Sequence, residues 1–277
     1  MHLSRREFLA ASAAGAVAAG PLMADPLGMP IGTQTWPIRD AIGKDFPGTL
    51  KQIAAMGYRT IEMCSPPSYR EGFGALAGMS AAAMKKTIQA AGLRCESCHY
   101  QFKEMKENLD ERIAFAKELG LKQMICSTFG VPNTAKMGDW AKAAGDLNKI
   151  GEKIAKAGLQ AGFHNHDFEF QKIDNELIYD KLMAEFDPKL IKMQFQVAVV
   201  RIGYEAATYM KKYPGRFLSM HLSDWSAETK KQAAVGSGSV DWKGLFAAAR
   251  VGGVQNYFVE MDLEFMKPSY DFLHSLK

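Results

Sequence analysis

His99, His164, His166 and His221 each stand at or near the end of a short apolar run, and Glu62, Gln196 and Glu260 stand at the ends of three more. An apolar strand has no reason to finish on an ionisable group, because burying one without a partner is costly. One such residue is explained by a satisfied core histidine or a wet strand edge. Seven point to a shared site. His2, near the N-terminus, and His274, in the last helical stretch, fall outside the pattern. In extended chain His164 and His166 share a face, with Asn165 on the other. Asp224 follows His221 by three residues, as strand gives way to loop. Imidazoles beside a carboxylate suit a divalent cation. The same groups would also make a hydrogen-bonded pocket for a polyol without metal.

The elements that must position these residues alternate regularly. The expected strands are Ile31–Trp36, Thr60–Cys64, Leu93–Tyr100, Gln123–Phe129, Gln160–His166, Ile191–Val197, Leu218–Asp224 and Tyr257–Asp262. Amphipathic helices lie between them, among them Thr49–Met56, Ala81–Ala91, Leu109–Leu119, Asp139–Ala157 and Trp242–Arg250, and Ser269–Leu276 comes last. Several end on Ala-Gly or Leu-Gly, where glycine supplies the left-handed stop. Strand–helix alternation builds a parallel sheet. Eight units with a helix last favour a closed single-domain (β/α)8 TIM barrel over an open sheet. No Gly-x-Gly-x-x-Gly follows the first strand, which removes the main support for a dinucleotide fold. A barrel keeps its chemistry at the C-terminal strand ends, where the seven residues fall.

The chain has 277 residues, 47% of them hydrophobic, enough for one core of barrel size. A formal charge of +4, with basic and acidic residues interspersed, gives no basic face for nucleic acid or a membrane surface. Ser4-Arg5-Arg6-Glu7-Phe8-Leu9 before the Ala/Gly-rich run Ala10–Gly20 reads as a twin-arginine export signal over residues 1–24, with the catalytic barrel over 29–277. That run is too short to anchor the chain in a bilayer. The expected location is therefore the periplasm or beyond. Of the four cysteines, Cys95 and Cys98 have redox-motif spacing, but they lie within an expected strand, not at a helix start. Structural cysteines are the reading, and a chain this long needs no disulfide framework.

From Ile31 to Leu276 the sequence resembles the sugar phosphate isomerase/epimerase-like (xylose isomerase-like) barrels. The resemblance rests on Ile31-Gly-Thr-Gln-Thr-Trp36, Ala55-Met-Gly-Tyr-Arg-Thr-Ile-Glu62, Gly162-Phe-His-Asn-His-Asp-Phe-Glu-Phe170, His221-Leu-Ser-Asp224, Val235-Gly-Ser-Gly-Ser-Val-Asp-Trp242 and Tyr257-Phe-Val-Glu-Met-Asp262. It implies one Mn²⁺, Mg²⁺, Co²⁺ or Zn²⁺ held by Glu, Asp, His and Glu from strands five to eight, the glutamates moving protons beside a carbonyl. His221 matches the histidine and Glu260 the last glutamate. His164 stands where the first glutamate is usual and Gln196 where the aspartate is usual. The set His164, Gln196, His221 and Glu260 carries one negative charge in place of three, so Zn²⁺, Mn²⁺ or Co²⁺ suits it better than Mg²⁺.

The function this resemblance implies is isomerisation or epimerisation of a sugar or keto-sugar. Glu260 is the expected base, with His164 or His166 as its proton-carrying partner. Trp36, Glu62, His99 and Asp224 are expected to bind the substrate, the Trp36 indole stacking on a pyranose face. Export argues against a phosphorylated substrate, and Gly236-Ser237-Gly238 is a weak phosphate cradle. Two alternatives use the same pocket: lyase or hydrolase chemistry on a 3-keto-glycoside, and a non-catalytic carbohydrate-binding barrel. The sequence leaves assembly into oligomers open.

Overall fold

The computed structural model describes residues 25–276. Eight parallel strands close into a barrel in chain order: β1 Gly32–Gln34, β2 Thr60–Cys64, β3 Arg94–Tyr100, β4 Gln123–Cys126, β5 Gln160–His164, β6 Ile191–Gln196, β7 Phe217–Leu222 and β8 Asn256–Val259. β8 returns to pair with β1, Phe258 opposite Gly32, so the sheet has no edge. Each strand is followed by a helix of the outer ring: α1 Phe46–Ala55, α2 Ala81–Ala90, α3 Leu109–Leu119, α4 Met137–Lys156, α5 Ile178–Glu185, α6 Ala206–Lys212, α7 Trp242–Gly252 and α8 Leu263–Ser275. The expected (β/α)8 barrel is the fold observed.

Local chemistry sets the helix ends. Asp45, Ser80 and Asp241 accept the N–H groups of Gly48, Ala83 and Gly244 at the starts of α1, α2 and α7. Gly120 and Gly253 turn left-handed (φ 96° and 85°) at the ends of α3 and α7, a conformation that costs a side-chain-bearing residue. α8 begins six residues before its expected start at Ser269. The helix runs through Pro268, with Met266, Ser269 and Leu273 buried on its inner face.

Several strands stop short of their expected ends. β4 closes at Cys126, β5 at His164, β7 at Leu222 and β8 at Val259, where the apolar runs give way to Ser127, Asn165, Ser223 and Glu260. His166 and Glu260 therefore lie on loop starts, although the Glu260 N–H still bonds Leu222 O at 2.9 Å and keeps the strand direction.

Two register shifts decide what faces inward. Pairing of β2 with β3 jumps between Ile61 and Glu62, so Glu62 meets Ser97 across the extra residue Glu96. Pairing of β6 with β7 jumps between Met193 and Gln194, so Gln194 meets Ser219 across Leu218. A bulge re-aims the side chains beyond it. These two set Glu62, Ser97, Gln194 and Ser219 in one buried polar layer where barrels usually carry branched apolar residues.

The segment before Met29 was expected to play no part in the barrel. Its described portion does: Tyr257 donates its hydroxyl to Pro26 O and Met29 O, and His274 pairs with Asp25 at 2.7 Å, closing the N-terminal end. The twin-arginine segment lies outside the described residues. Within them no helix is long and apolar enough to cross a membrane. Cys64, Cys95, Cys98 and Cys126 are free and buried, consistent with structural cysteines.

Candidate active site

At the C-terminal pole a cavity of about 510 Å³ opens among the strand ends, and Trp36, His164, His166, Gln196 and Glu260 line it. Three imidazoles cluster at its base, of which His164 lines the cavity and His99 and His221 are buried behind it. Donor nitrogens of His99, His164 and His221, from β3, β5 and β7, lie within 4.8 Å of one another. The ring centroids of His164 are 4.5 Å from His221 and 5.0 Å from His99. His166 meets His164 edge-on at 4.8 Å and stacks against Phe168. The turn presenting His166 is held by Glu169, whose carboxylate accepts the His166 N–H at 2.7 Å.

Beneath the cavity lies a second tier. Glu62 is fully buried and accepts four hydrogen bonds: from Gln34 Nε2 (2.6 Å), Ser97 Oγ (2.5 Å), Gln194 Nε2 (2.8 Å) and His221 Nε2 (2.5 Å). His99 Nε2 bonds Gln194 Oε1 at 2.6 Å. Glu62 therefore does not meet a ligand in the cavity, contrary to the expectation that it binds substrate. Asp224 departs from its expectation too. Its carboxylate accepts from the N–H groups of Trp225, Gly236, Gly238 and Val240 and from Trp242 Nε1, which makes it the core of a loop, not a substrate contact.

Charge in the pocket is concentrated on one pair. Burial alone would lower the pKa of His221, but the carboxylates of Glu260 and Glu62 raise it to about 10. Burial would raise Glu260, yet the His221 cation and the Gln196 amide bring it down to about 2. Glu62 is held well below the usual carboxylate range, its burial outweighed by His99 and His221. Burial and the neighbouring imidazoles push His164 well down, and burial brings His166 to about 4. At neutral pH the pocket thus sets an ionised carboxylate beside an imidazolium, facing neutral imidazoles.

The donor set fits a divalent cation. His164 Nδ1 and His221 Nδ1 are buried without hydrogen-bond partners, and His221 Nδ1 lies 3.3 Å from Glu260 Oε2. Imidazole nitrogens with one carboxylate suit zinc-like ions better than Mg²⁺. His99, expected only as a substrate contact, belongs to the imidazole cluster. Gln196, expected as a ligand, donates Nε2 to Glu260 and accepts the Ala198 N–H on Oε1 at 3.2 Å, so its amide is already engaged. With the His221 pKa near 10, a cation entering at Nδ1 at neutral pH must displace a proton. Apparent Zn²⁺ affinity is expected to rise about tenfold per pH unit from pH 6 to 9, with about one proton released per ion. Calorimetry in buffers of different ionisation enthalpy reads that proton, and binding without proton release would contradict the assignment of Nδ1.

Gln34, Ser97, Gln194 and Ser219 were not anticipated. Three of them stand two residues before a residue that was: Ser97 before His99, Gln194 before Gln196 and Ser219 before His221. Period-two alternation puts each pair on one strand face, but the bulges that bring these residues to Glu62 leave no local signal.

This arrangement can be set beside known proteins. The family described as xylose isomerase-like TIM barrel matches residues 50–267. The chain belongs to this family. It is 23% identical over 214 residues to the inosose dehydratase of Geobacillus thermodenitrificans, covering 64% of this chain and 71% of that enzyme. With the inosose dehydratase of Clostridium botulinum it shares 31% identity over 87 residues, 31% of this chain and only 28% of that one. A sugar phosphate isomerase/epimerase from Parabacteroides distasonis superposes with a TM-score of 0.76 at 23% identity, over 89% of this chain and 93% of that one. The IOLI protein, solved with a bound zinc atom, superposes at 0.65 and 13% identity, over 89% and 94%. At these identities the xylose isomerase-like structures establish the shared fold.

Proposed function

We propose that this chain is an enzyme of sugars or keto-sugars that abstracts a proton beside a carbonyl, giving isomerisation or epimerisation. The observation that carries it is the opposition, across one cavity, of an ionised carboxylate and neutral imidazoles. Glu260 takes the proton from carbon, and the electron pair moves onto the carbonyl oxygen. The His221 cation, buried behind Glu260, supplies positive charge close to the site, the kind of preorganised stabilisation that lowers such barriers. His166 or His164, neutral above their lowered pKa values, is the second proton carrier. A divalent cation held by His164, His221, Glu260 and His99 would replace the His221 proton and supply Lewis-acid polarisation of the carbonyl in its stead. Trp36, partly buried on the cavity wall with Arg39 over its ring and Phe73 stacked against it, offers apolar surface to a sugar.

The backbone N–H groups of Gly236, Gly238 and Val240, the weak phosphate cradle of the sequence, are taken by Asp224, and this supports an unphosphorylated substrate. It agrees with the export route proposed from Arg5-Arg6. A second reading is elimination, in which the same abstraction expels a β-hydroxyl or β-glycosyl group, and it is favoured by the similarity to inosose dehydratases. A panel of keto-sugars, keto-cyclitols and 3-keto-glycosides in D2O, with and without chelator, tests both. Deuterium entering the carbon beside the carbonyl with the carbon skeleton and oxygens kept is the expected result. A new enone absorbance would replace it with the second reading, and binding without exchange would leave a carbohydrate-binding barrel.

A further inference from the structure

Glu62 is a buried anion that does not line the cavity, so its value to the site must pass through the residues it touches. Its Oε2 meets His221 Nε2 at 2.5 Å and lies 3.3 Å from His99 Nε2. Gln194 fixes the rest. Its Nε2 donates to Glu62 Oε1 (2.8 Å) and Ser219 Oγ (2.9 Å), which leaves its Oε1 facing His99 Nε2 at 2.6 Å. A carboxylate oxygen and an amide oxygen only accept, so the ring nitrogens that meet them must carry hydrogen. We propose that Glu62 and Gln194 are a positioning pair that keeps Nε2 of both His221 and His99 protonated, leaving Nδ1 of each ring as the nitrogen that binds a cation or exchanges a proton.

The orientation follows the rule that a partner on one imidazole nitrogen fixes the role of the other. His221 shows the outcome: with Nε2 tied to Glu62, its Nδ1 is buried without a hydrogen-bond partner, 3.3 Å from Glu260 Oε2. The two bulges make this possible. Without the register jumps at Glu62 and Gln194, neither side chain would share the inner layer with Ser97 and Ser219. The cation half of the inference rests on the proposed reading of the pocket, whereas the protonation half does not.

Histidine ¹⁵N spectra of the full-length protein, alone and titrated with Zn²⁺, test it. Nε2 of His99 and His221 is expected as N–H in both states, with Zn²⁺ perturbing His221 Nδ1. In Glu62→Gln the introduced amide nitrogen cannot accept. Turned toward Gln194 it opposes two donors, and turned toward His221 it forces a lone pair onto Nε2 and the proton onto Nδ1. Zn²⁺ is then expected to bind about 10–100-fold more weakly. Spectra of the unmutated protein showing a lone pair on Nε2 of either ring would overturn the inference, whether or not the variant folds. So would a folded variant with unchanged Nε2–H signals and unchanged Zn²⁺ affinity. If the unmutated protein binds no Zn²⁺, the cation reading of the pocket fails by itself, and the Nε2 signals still decide the positioning role.

Discussion

Replacing Glu260 by Gln is expected to lower kcat by roughly 10²–10⁴-fold while substrate binding is largely kept. The substitution preserves size and the contacts around it, including the cavity wall and a polar neighbour for Gln196. It removes the cavity-wall carboxylate that pairs with His221, whereas Asp167, also on the wall, is engaged by Arg201. Glu62, the nearest alternative, is enclosed by four donors and has no path to substrate. With its pKa brought down to about 2, Glu260 is ionised throughout the range in which such a protein is assayed. His166 stays neutral and able to accept a proton above about pH 4. His166→Asn should therefore cost less than Glu260→Gln if His166 only orients substrate, and as much if it carries the second proton. The decisive measurement is deuterium exchange at the carbon beside the carbonyl. Exchange at the unmutated rate in Glu260→Gln would make Glu260 a ligand or structural group and move the base to the histidines.

The fold was legible because its signals are local and repeated. Each short, largely apolar strand ends before a polar stretch, each helix carries an apolar stripe, and eight such units leave little choice but closure. Boundaries were less legible, since apolar residues such as Met261 and Val197 continue past the strand and pack under loops, where composition does not separate them from strand. The histidines and Glu260 could be read as pocket residues because ionisable groups at apolar strand ends are conspicuous. The tier beneath could not. Ser97, Gln194 and Ser219 are ordinary residues in sequence, and their placement depends on two bulges that no local pattern announces. Glu62 shows the same limit: a carboxylate one layer too deep has the same sequence signature as one at the mouth.

Asp224 marks the opposite error, and its replacement should have the largest effect on stability. Asp224→Ala is expected to cost about 3–4 kcal/mol, a fall in melting temperature of about 10 °C. The residue is 2% exposed, and its two oxygens are met by four backbone N–H groups and one indole N–H. Removing the carboxylate leaves buried donors without acceptors, each of which costs more than the bond was worth. No other group can take its place, because the Gly236–Val240 loop is built round the carboxylate: a Cβ on Gly238 would lie 2.1 Å from Asp224 Oδ1. Gly236, at φ 91°, presses on the Phe272 ring of α8, so loosening this loop also loosens the last helix from the barrel. Asp224→Asn keeps the shape but turns an amide nitrogen toward at least one N–H donor, and should fall between the two. Thermal unfolding of both variants, set beside their kcat/KM, separates the roles. Lost activity at an unchanged melting temperature would return Asp224 to the substrate site, while lost stability with near-normal kcat in the surviving folded protein is the expected result.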